Sequence, residues 1–234
     1  MADVPDFRAE EDRIRAAYAR RRQDGRYAWS NLGHLFMMQD IERRLRRLLA
    51  REAVLPLEDK RILEIGCGTG YWLREFVRWG ADPAAVAGVD LLADRVAAAR
   101  RLCSSETHLL RSSAARLPFP DAGFDVVAQF TVFTSILDAN LKQRVAQELL
   151  RVLKPRGCVL WYDFHVGNPR NPDVRGVGRR EIAELFPDCS ISLERVTLAP
   201  PIARLAAPRW WLLCALLDAI PFFRTHYLGV IRKQ

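Results

Sequence analysis

Apolar residues along this chain follow two periods. Short continuous runs at Ile62–Ile65, Val86–Val89, Phe124–Phe133 and Cys158–Phe164 have the length and composition of buried strands, and Thr107–Ala114 reads as another. Between these runs apolar residues return at helical spacing: Tyr71 to Val77, the Ala- and Arg-rich stretch Asp94–Cys103, and Asn140–Leu153 with Leu141, Val145, Leu149, Leu150 and Leu153 on one side. Gly80 closes the first of these helices, and Lys154-Pro155-Arg156-Gly157 stops the last. Strands alternating with helices predict a parallel α/β sheet joined by right-handed crossovers. Ahead of this core, residues 7–22 read as a charged helix with Phe7, Ile14, Ala17 and Tyr18 on one side. A polar break follows over Gln23–Ser30, then a helix over Asn31–Glu52 with Asn31 as N-cap and a stripe through Leu35, Met38, Ile41, Leu45, Leu48 and Leu49. Beyond the core the pattern predicts a helix at Arg179–Phe186, a strand at Ser190–Leu198, a break at Pro200–Ala207 and a last strand at His226–Lys233.

The first strand runs into Gly66-Cys67-Gly68-Thr69-Gly70, and a helix begins at once. Strand, glycine turn and helix open a nucleotide-binding βαβ unit, in which bare backbone lets a bulky ligand lie close. The pyrophosphate fingerprint G-x-G-x-x-G does not fit, because its third glycine position is Tyr71, and no phosphate-cradling G-x-x-x-x-G-K-[ST] is present. The glycines fall instead at every second residue, preceded by Glu64. The second strand ends in Asp90, 20 residues after Gly70, where a carboxylate can accept a pair of ribose hydroxyls.

Glu64, the spaced glycines and Asp90 form an E-x-G-x-G-x-G pattern that resembles motif I of the class I S-adenosylmethionine-dependent methyltransferases. Leu117–Asp125 (LPFPDAGFD) is similar to the link into that superfamily's fourth strand, and Glu148–Phe164 (ELLRVLKPRGCVLWYDF) to the motif around its fifth. The resemblance covers roughly residues 55–165. It implies a Rossmann-like three-layer sandwich with a seven-stranded, mostly parallel sheet whose last strand enters antiparallel between strands five and six. It also implies an N-terminal helical lid over residues 1–54 and a methyltransferase domain over 55–234, with 165–178 and 200–225 as substrate-side insertions. The implied cofactor is S-adenosylmethionine, leaving S-adenosylhomocysteine, with no metal. Glu64, Gly66 and Gly68 would take its methionine and ribose end, with Cys67 and Gly70 in the same turn. Asp90 would take the ribose, Leu91 and Ala114 would flank adenine, Gln129 would lie near the reacting centre, and Tyr27 would close over the pocket. Family members usually carry an acid near the end of the third strand. Here Ser112-Ser113-Ala114 stands instead, leaving the adenine edge to the Ser113 hydroxyl and the Ala114 backbone.

At 234 residues, half of them apolar, one α/β domain with small additions is the natural size. The net charge of +8 is spread along the chain, and the basic residues are 32 Arg and 4 Lys, so no concentrated nucleic-acid face is indicated and no nucleic-acid partner is expected. Five scattered cysteines without a C-x-x-C argue against zinc, an iron–sulfur cluster and a disulfide framework. The polar, acidic opening Met1–Asp6 is unlike a secretory leader, making the cytoplasm the expected location. The ends resemble a bacterial family of free-standing methyltransferases, some tied to glycan or secondary-metabolite synthesis.

The fourth strand ends without the N/D-P-P-Y/F motif of base-flipping amino methylases, and Gln129 stands where metal-dependent catechol-type enzymes place a carboxylate. The expected reaction is therefore transfer to a hydroxyl of a small molecule or glycan, with a peptide or protein carboxylate, or cofactor binding without turnover, as rivals. The loop His165–Gly178 holds two Asn-Pro pairs and three glycines and leaves the fifth strand beside the reacting centre. Asp163, Arg170, Asn171 and Arg175 are its candidate substrate ligands, with Trp29 from the N-terminal break. The other reading is an ordered connector whose polar groups satisfy its own backbone. His165 is the first candidate base and His34 the second; packing and capping are the alternative for His34. Pro208–Ile220 (PRWWLLCALLDAI) is strongly apolar and shorter than a bilayer span. It reads as a core or lid helix, a wall for an apolar substrate, or a weak membrane-surface contact through residues 208–223.

Overall fold

The computed structural model describes residues 7–20, 25, 27–169 and 171–233. Two helices come first, α1 (Arg8–Arg20) and α2 (Leu32–Arg51). The alternating core follows: β1 (Ile62–Ile65), α3 (Tyr71–Arg78), β2 (Val86–Asp90), α4 (Ala93–Leu102), β3 (His108–Arg111), β4 (Phe124–Phe130), α5 (Ala139–Val152) and β5 (Leu153–Phe164). The chain closes with α6 (Arg179–Leu185), β6 (Cys189–Leu198), α7 (Pro200–Ala206), α8 (Trp211–Ala219) and β7 (Arg224–Lys233).

All seven strands form one sheet in the order β3-β2-β1-β4-β5-β7-β6. Strands β1 to β5 pair in parallel, and β7 enters between β5 and β6 antiparallel to both, as the resemblance implies. Side chains alternate across the strands. Ile62, Val126, Cys158 and Leu160 join a core with Leu45 and Leu49 of α2, Phe76 of α3 and Ala99 of α4. Leu63, Val127, Val159 and Trp161 join the opposite core with Val145 and Leu149 of α5 and Ile182 of α6. A third, smaller cluster places Phe36 and Met37 of α2 against Ala203 of α7 and Cys214 of α8.

The third strand covers only His108–Arg111 of the expected Thr107–Ala114, and three other boundaries differ from expectation for a local reason. The strand expected over Phe124–Phe133 stops at Phe130, because Thr131 turns to φ 60° and a short 3-10 turn follows at Phe133–Ser135. Lys154–Gly157 continues β5 rather than stopping short of it. The register shifts between Phe124 and Val126 there, and Gly157 lies so close to the neighbouring strand that an added Cβ would sit 2.7 Å from the Asp125 carbonyl oxygen. Pro200–Ala207 is helical, since its prolines occupy the first turn, where no amide hydrogen is needed. Asn31 caps α2 as expected, its Oδ1 accepting from the His34 amide at 3.1 Å.

Candidate active site

The site grows from the carboxyl ends of β1, β2 and β4, where a parallel sheet opens its crevice. After Ile65 the chain enters the left-handed region at Gly66 (φ +62°) and again at Gly68 (φ +54°). A Cβ on Gly66 would meet Val132 Cγ2 at 2.6 Å, so the β4 end leaves it no room, whereas nothing lies within 4 Å of a Cβ on Gly68. That second glycine presents its bare backbone to open space. Asp90 locks the turn: its Oδ2 accepts from the Gly68 amide at 2.8 Å and its Oδ1 from the Leu92 amide at 2.8 Å. Each carboxylate oxygen keeps further acceptor capacity toward the cleft. Burial pushes the Asp90 carboxyl up, partly offset by the Leu92 and Gly68 amides.

Glu64 and Gln129 lie beneath the turn on adjacent strands, both fully buried. Burial, then the neighbouring Asp90, raises the Glu64 carboxyl well above its usual range. Its Oε2 has no hydrogen-bond partner among the described residues, and neither has Nε2 of Gln129. Unpaired buried polar atoms are costly in a folded chain; neither Glu64 nor Gln129 lines the cleft, so both sit in the interior behind its wall rather than in it. Oε1 of Gln129 accepts from the Val132 amide at 3.1 Å and so shapes the end of β4.

The cleft above the turn has a volume of about 690 Å³. Gly66, Gly68, Asp90 and Leu91 form one wall, and Ser112, Ser113 and Ala114 one end. Phe130, Thr131 and Val132 form the opposite wall, continued by Ser135 and Ile136. Glu11, Ile14 and Tyr18 of α1 and Tyr27 of the following turn roof it. Pins from α1 hold that roof. Glu10 Oε1 accepts from the Leu137 amide at 2.6 Å and the Asp138 amide at 3.3 Å, and Arg13 donates to the Ser135 carbonyl at 2.7 Å and to both Glu10 oxygens. Tyr18 lies 3.3 Å from the Ser135 hydroxyl.

Of the residues singled out from the sequence, Gly66, Gly68, Asp90, Leu91, Ser113, Ala114 and Tyr27 line this cleft together. Cys67 does not: its thiol turns into the core against Gly88, and burial, with Glu64 next, raises its pKa. Gly70 is the left-handed N-cap of α3, packed against Cys103. The acceptor-side candidates lie elsewhere. Asp163 is fully buried, with its oxygens taken by the Thr134 hydroxyl (2.6 Å), the Thr134 amide (3.2 Å) and the Phe164 amide (2.9 Å). Burial pushes its carboxyl up to about 7 against those bonds. His165 is turned toward β7: its amide donates to the Thr225 carbonyl, its Nε2 lies 3.0 Å from the Arg224 carbonyl, and its ring packs on Tyr227. Burial lowers its pKa.

His34 packs with Tyr27 and Trp29, and Trp29 packs on Tyr71, so this aromatic group joins the N-terminal turn to α2 and α3. Burial, then Arg204, lowers the His34 pKa. Asn171 folds back on its own turn, accepting from the Asp173 amide at 3.1 Å, and Arg175 pairs with Glu181 at 3.1 Å. Asp173 reaches Arg20 of α1 at 3.0 Å. Arg170 lies outside the described residues. None of the described residues of the 165–178 loop lines the cleft, and Asp173 ties the loop to α1. Further residues that line the cleft, Glu11, Ile14, Tyr18 and Ser135, carry no motif; Ile14 and Tyr18 lie on the apolar side read for the first helix, and Glu11 and Ser135 give no local sequence signal. Among the described residues no group of three or more His, Cys, Asp or Glu is placed to hold a metal ion.

Residues 62–157 match the methyltransferase domain family. The demethylmenaquinone methyltransferase of Thermus thermophilus is 34% identical over 121 residues, covering 50% of this chain and 53% of that protein. The fatty-acid O-methyltransferase of Mycolicibacterium smegmatis is 34% identical over 119 residues, covering 47% of this chain and 39% of that protein. The chain thus spans about half the length, or less, of these curated relatives. Among solved structures, the Burkholderia thailandensis 1,6-didemethyltoxoflavin-N1-methyltransferase, bound to 1,6-didemethyltoxoflavin and S-adenosylhomocysteine, superposes with a TM-score of 0.65 at 16% identity, covering 100% of this chain and 93% of that one. Over residues 62–157 the chain carries a methyltransferase domain, and its strand order and the glycine turn tied to Asp90 are those of the class I S-adenosylmethionine-dependent methyltransferase fold.

Proposed function

We propose that this chain moves the methyl group of S-adenosylmethionine to a hydroxyl of a small molecule or glycan by in-line displacement. The observation that carries this reading is the roofed cleft whose floor is the Gly66–Gly70 turn pinned to Asp90. The residues lining the cleft fit the cofactor: an open glycine backbone and a carboxylate with acceptor capacity to spare. S-adenosylmethionine supplies a methyl already activated on a sulfonium sulfur. The chain has little covalent work beyond that. Asp90 would hold the ribose hydroxyls, and Leu91 and Ala114 would sandwich the base with Ser113 at its edge. Phe130, Thr131 and the α1 roof exclude water and align the acceptor, which is where orientation accelerates such a reaction.

A hydroxyl acceptor must lose a proton. His165 and His34 do not line the cleft. Among the described residues, the polar side chains of the roof side are Glu11, Tyr18, Tyr27 and Ser135, and Glu11, which pairs with Arg15 at 3.1 Å, is the carboxylate we assign to that role. The cofactor fit is tested by titrating S-adenosylhomocysteine calorimetrically into the protein and into Asp90→Ala. Loss of a charge-assisted pair of hydrogen bonds costs about 3 kcal/mol, a roughly 100-fold weaker affinity. Equal affinity in the variant would remove Asp90 from the site. Turnover is read as S-adenosylhomocysteine release across a panel of hydroxyl, amine and carboxylate acceptors. Methylation confined to amines or carboxylates would displace the hydroxyl reading while leaving the cofactor site intact.

A further inference from the structure

Helix α8 has no polar outer side. It turns Cys214 and Asp218 inward, while Trp211, Leu212, Leu213 and Leu216 face out. Leu205 of α7 and Phe222 beyond α8 extend the surface, and Leu205, Leu212 and Phe222 are 76%, 73% and 83% exposed. A surface helix with an apolar outer face signals a partner.

The charge around the patch narrows the occupant. Between Ala199 and Phe223 the sequence holds two basic residues, Arg204 and Arg209, and one acid, Asp218. That acid is buried and paired with Arg44 of α2. Exposed Arg209 therefore stands among leucines and tryptophans with no exposed carboxylate in the segment. A second copy of this chain would bring arginine against arginine across a two-fold contact, with nothing in the segment to compensate. A bilayer with anionic headgroups fits both features: leucine and phenylalanine enter the acyl boundary, tryptophans settle at headgroup level, and arginine meets phosphate. Among the described residues no helix is long and apolar enough to cross a membrane, so the contact would lie in the interface plane.

The patch adjoins the cleft. Arg204 of α7 lies 5.9 Å over the ring of Tyr27, which roofs the site, and Trp211 packs edge-on against Phe36 of α2 at 5.1 Å. We propose that α7, α8 and the Pro221–Phe223 turn form a docking face for an anionic lipid surface, with the cleft roof held beside it. Resting on the methyl-transfer reading, the acceptor is then one with an apolar tail, met at the membrane rather than in bulk water.

The test is flotation of the full chain with vesicles of phosphatidylglycerol mixed with phosphatidylcholine, and with phosphatidylcholine alone. Wild type should float with the anionic vesicles, less so at high salt. Leu212→Glu combined with Leu216→Glu, and separately Arg209→Glu, should each reduce bound protein about tenfold. Both leucines are exposed, so S-adenosylhomocysteine affinity and the thermal transition should be unchanged. Wild type that stays unbound, or variants that float as wild type does, overturn the proposal. A concentration-dependent dimer that the double variant dissociates, without flotation, assigns the face to a second copy and overturns it too. Failure of S-adenosylhomocysteine binding in wild type would instead strike the methyl-transfer reading and leave the vesicle result standing.

Discussion

Thr131 holds a conformation that β-branched residues avoid. Its φ of 60° places it in the left-handed region, its amide is tied to the Tyr162 carbonyl at 2.8 Å, and it lines the cleft. Such strain costs about 1–2 kcal/mol and persists where surrounding structure imposes it. Thr131→Gly relieves the strain but widens the unfolded ensemble, a loss of up to about 1 kcal/mol. The expected result is a thermal midpoint equal to or slightly above wild type, together with slower turnover, checked by calorimetry and by product release. A variant with a much lower midpoint would show that Thr131 is not strained.

Asp163 is a second residue whose setting has a measurable signature. Its carboxyl titrates near 3.8 when exposed and is raised to about 7 by burial. Below pH 3.8 both states are protonated. Between the two values the unfolded chain releases a proton that the folded chain retains, so this group's contribution to stability falls as pH rises through that window. Asp163→Asn cannot titrate. The advantage of wild type over the variant in thermal midpoint should shrink between pH 5 and pH 7, taken as roughly the upper part of that window. A constant difference would mean that Asp163 is already ionised at pH 5.

At the level of elements, α1 matters more than its sequence signals. It is a short charged helix with modest burial, and its place over the cleft depends on Glu10 and Arg13 gripping the turn after β4. Burial opposes ionisation of Glu10, but the bonds from Arg13, Leu137 and Asp138 outweigh it and lower its pKa. Glu10→Ala frees two amides and one guanidinium, a loss of about 1–2 kcal/mol confined to the contact between roof and sheet. Faster dissociation of S-adenosylhomocysteine and a higher acceptor KM are expected, with the global thermal midpoint nearly unchanged. Stopped-flow displacement checks the first, and an unaltered off-rate would mean that the roof does not govern ligand exit.

At the scale of the whole molecule, β7 ties the edge strand β6 to the parallel part of the sheet. It pairs with β5 over Val159–Phe164 and with β6 over Cys189–Leu198, so the last ten-residue strand completes both ladders. Gly229 marks how tight this insertion is: a Cβ there would sit 1.9 Å from the Ser192 carbonyl oxygen. Gly229→Val should destabilise by about 3 kcal/mol or more, by forcing β6 and β7 apart. Circular dichroism on heating should show a lowered or broadened transition; a midpoint within a degree or so of wild type, about the scale of 0.3 kcal/mol, would contradict the packing.

Strand positions, the helices that alternate with them, the glycine turn and Asp90 are all written locally. Each follows from the period of apolar residues, or from backbone that only glycine provides, together with a carboxylate at a strand end, and none needs knowledge of a distant residue. What borders the far side of the cleft is not written that way. Glu10 meets Leu137 across a sequence separation of 127, and nothing in either neighbourhood signals the other. His165 and Asp163 carry suitable chemistry at a suitable strand end, yet antiparallel pairing with β7 turns the first away and Thr134 claims the second. The prolines at Pro200 and Pro201 begin α7 rather than breaking the chain, and the face it shares with α8 is exposed because Asp218 finds Arg44 on α2. Period and composition determine which elements form and which side of each avoids water. Which residues meet at the mouth of the cleft is set by strand order and chain closure, through contacts too distant in sequence to leave a local pattern.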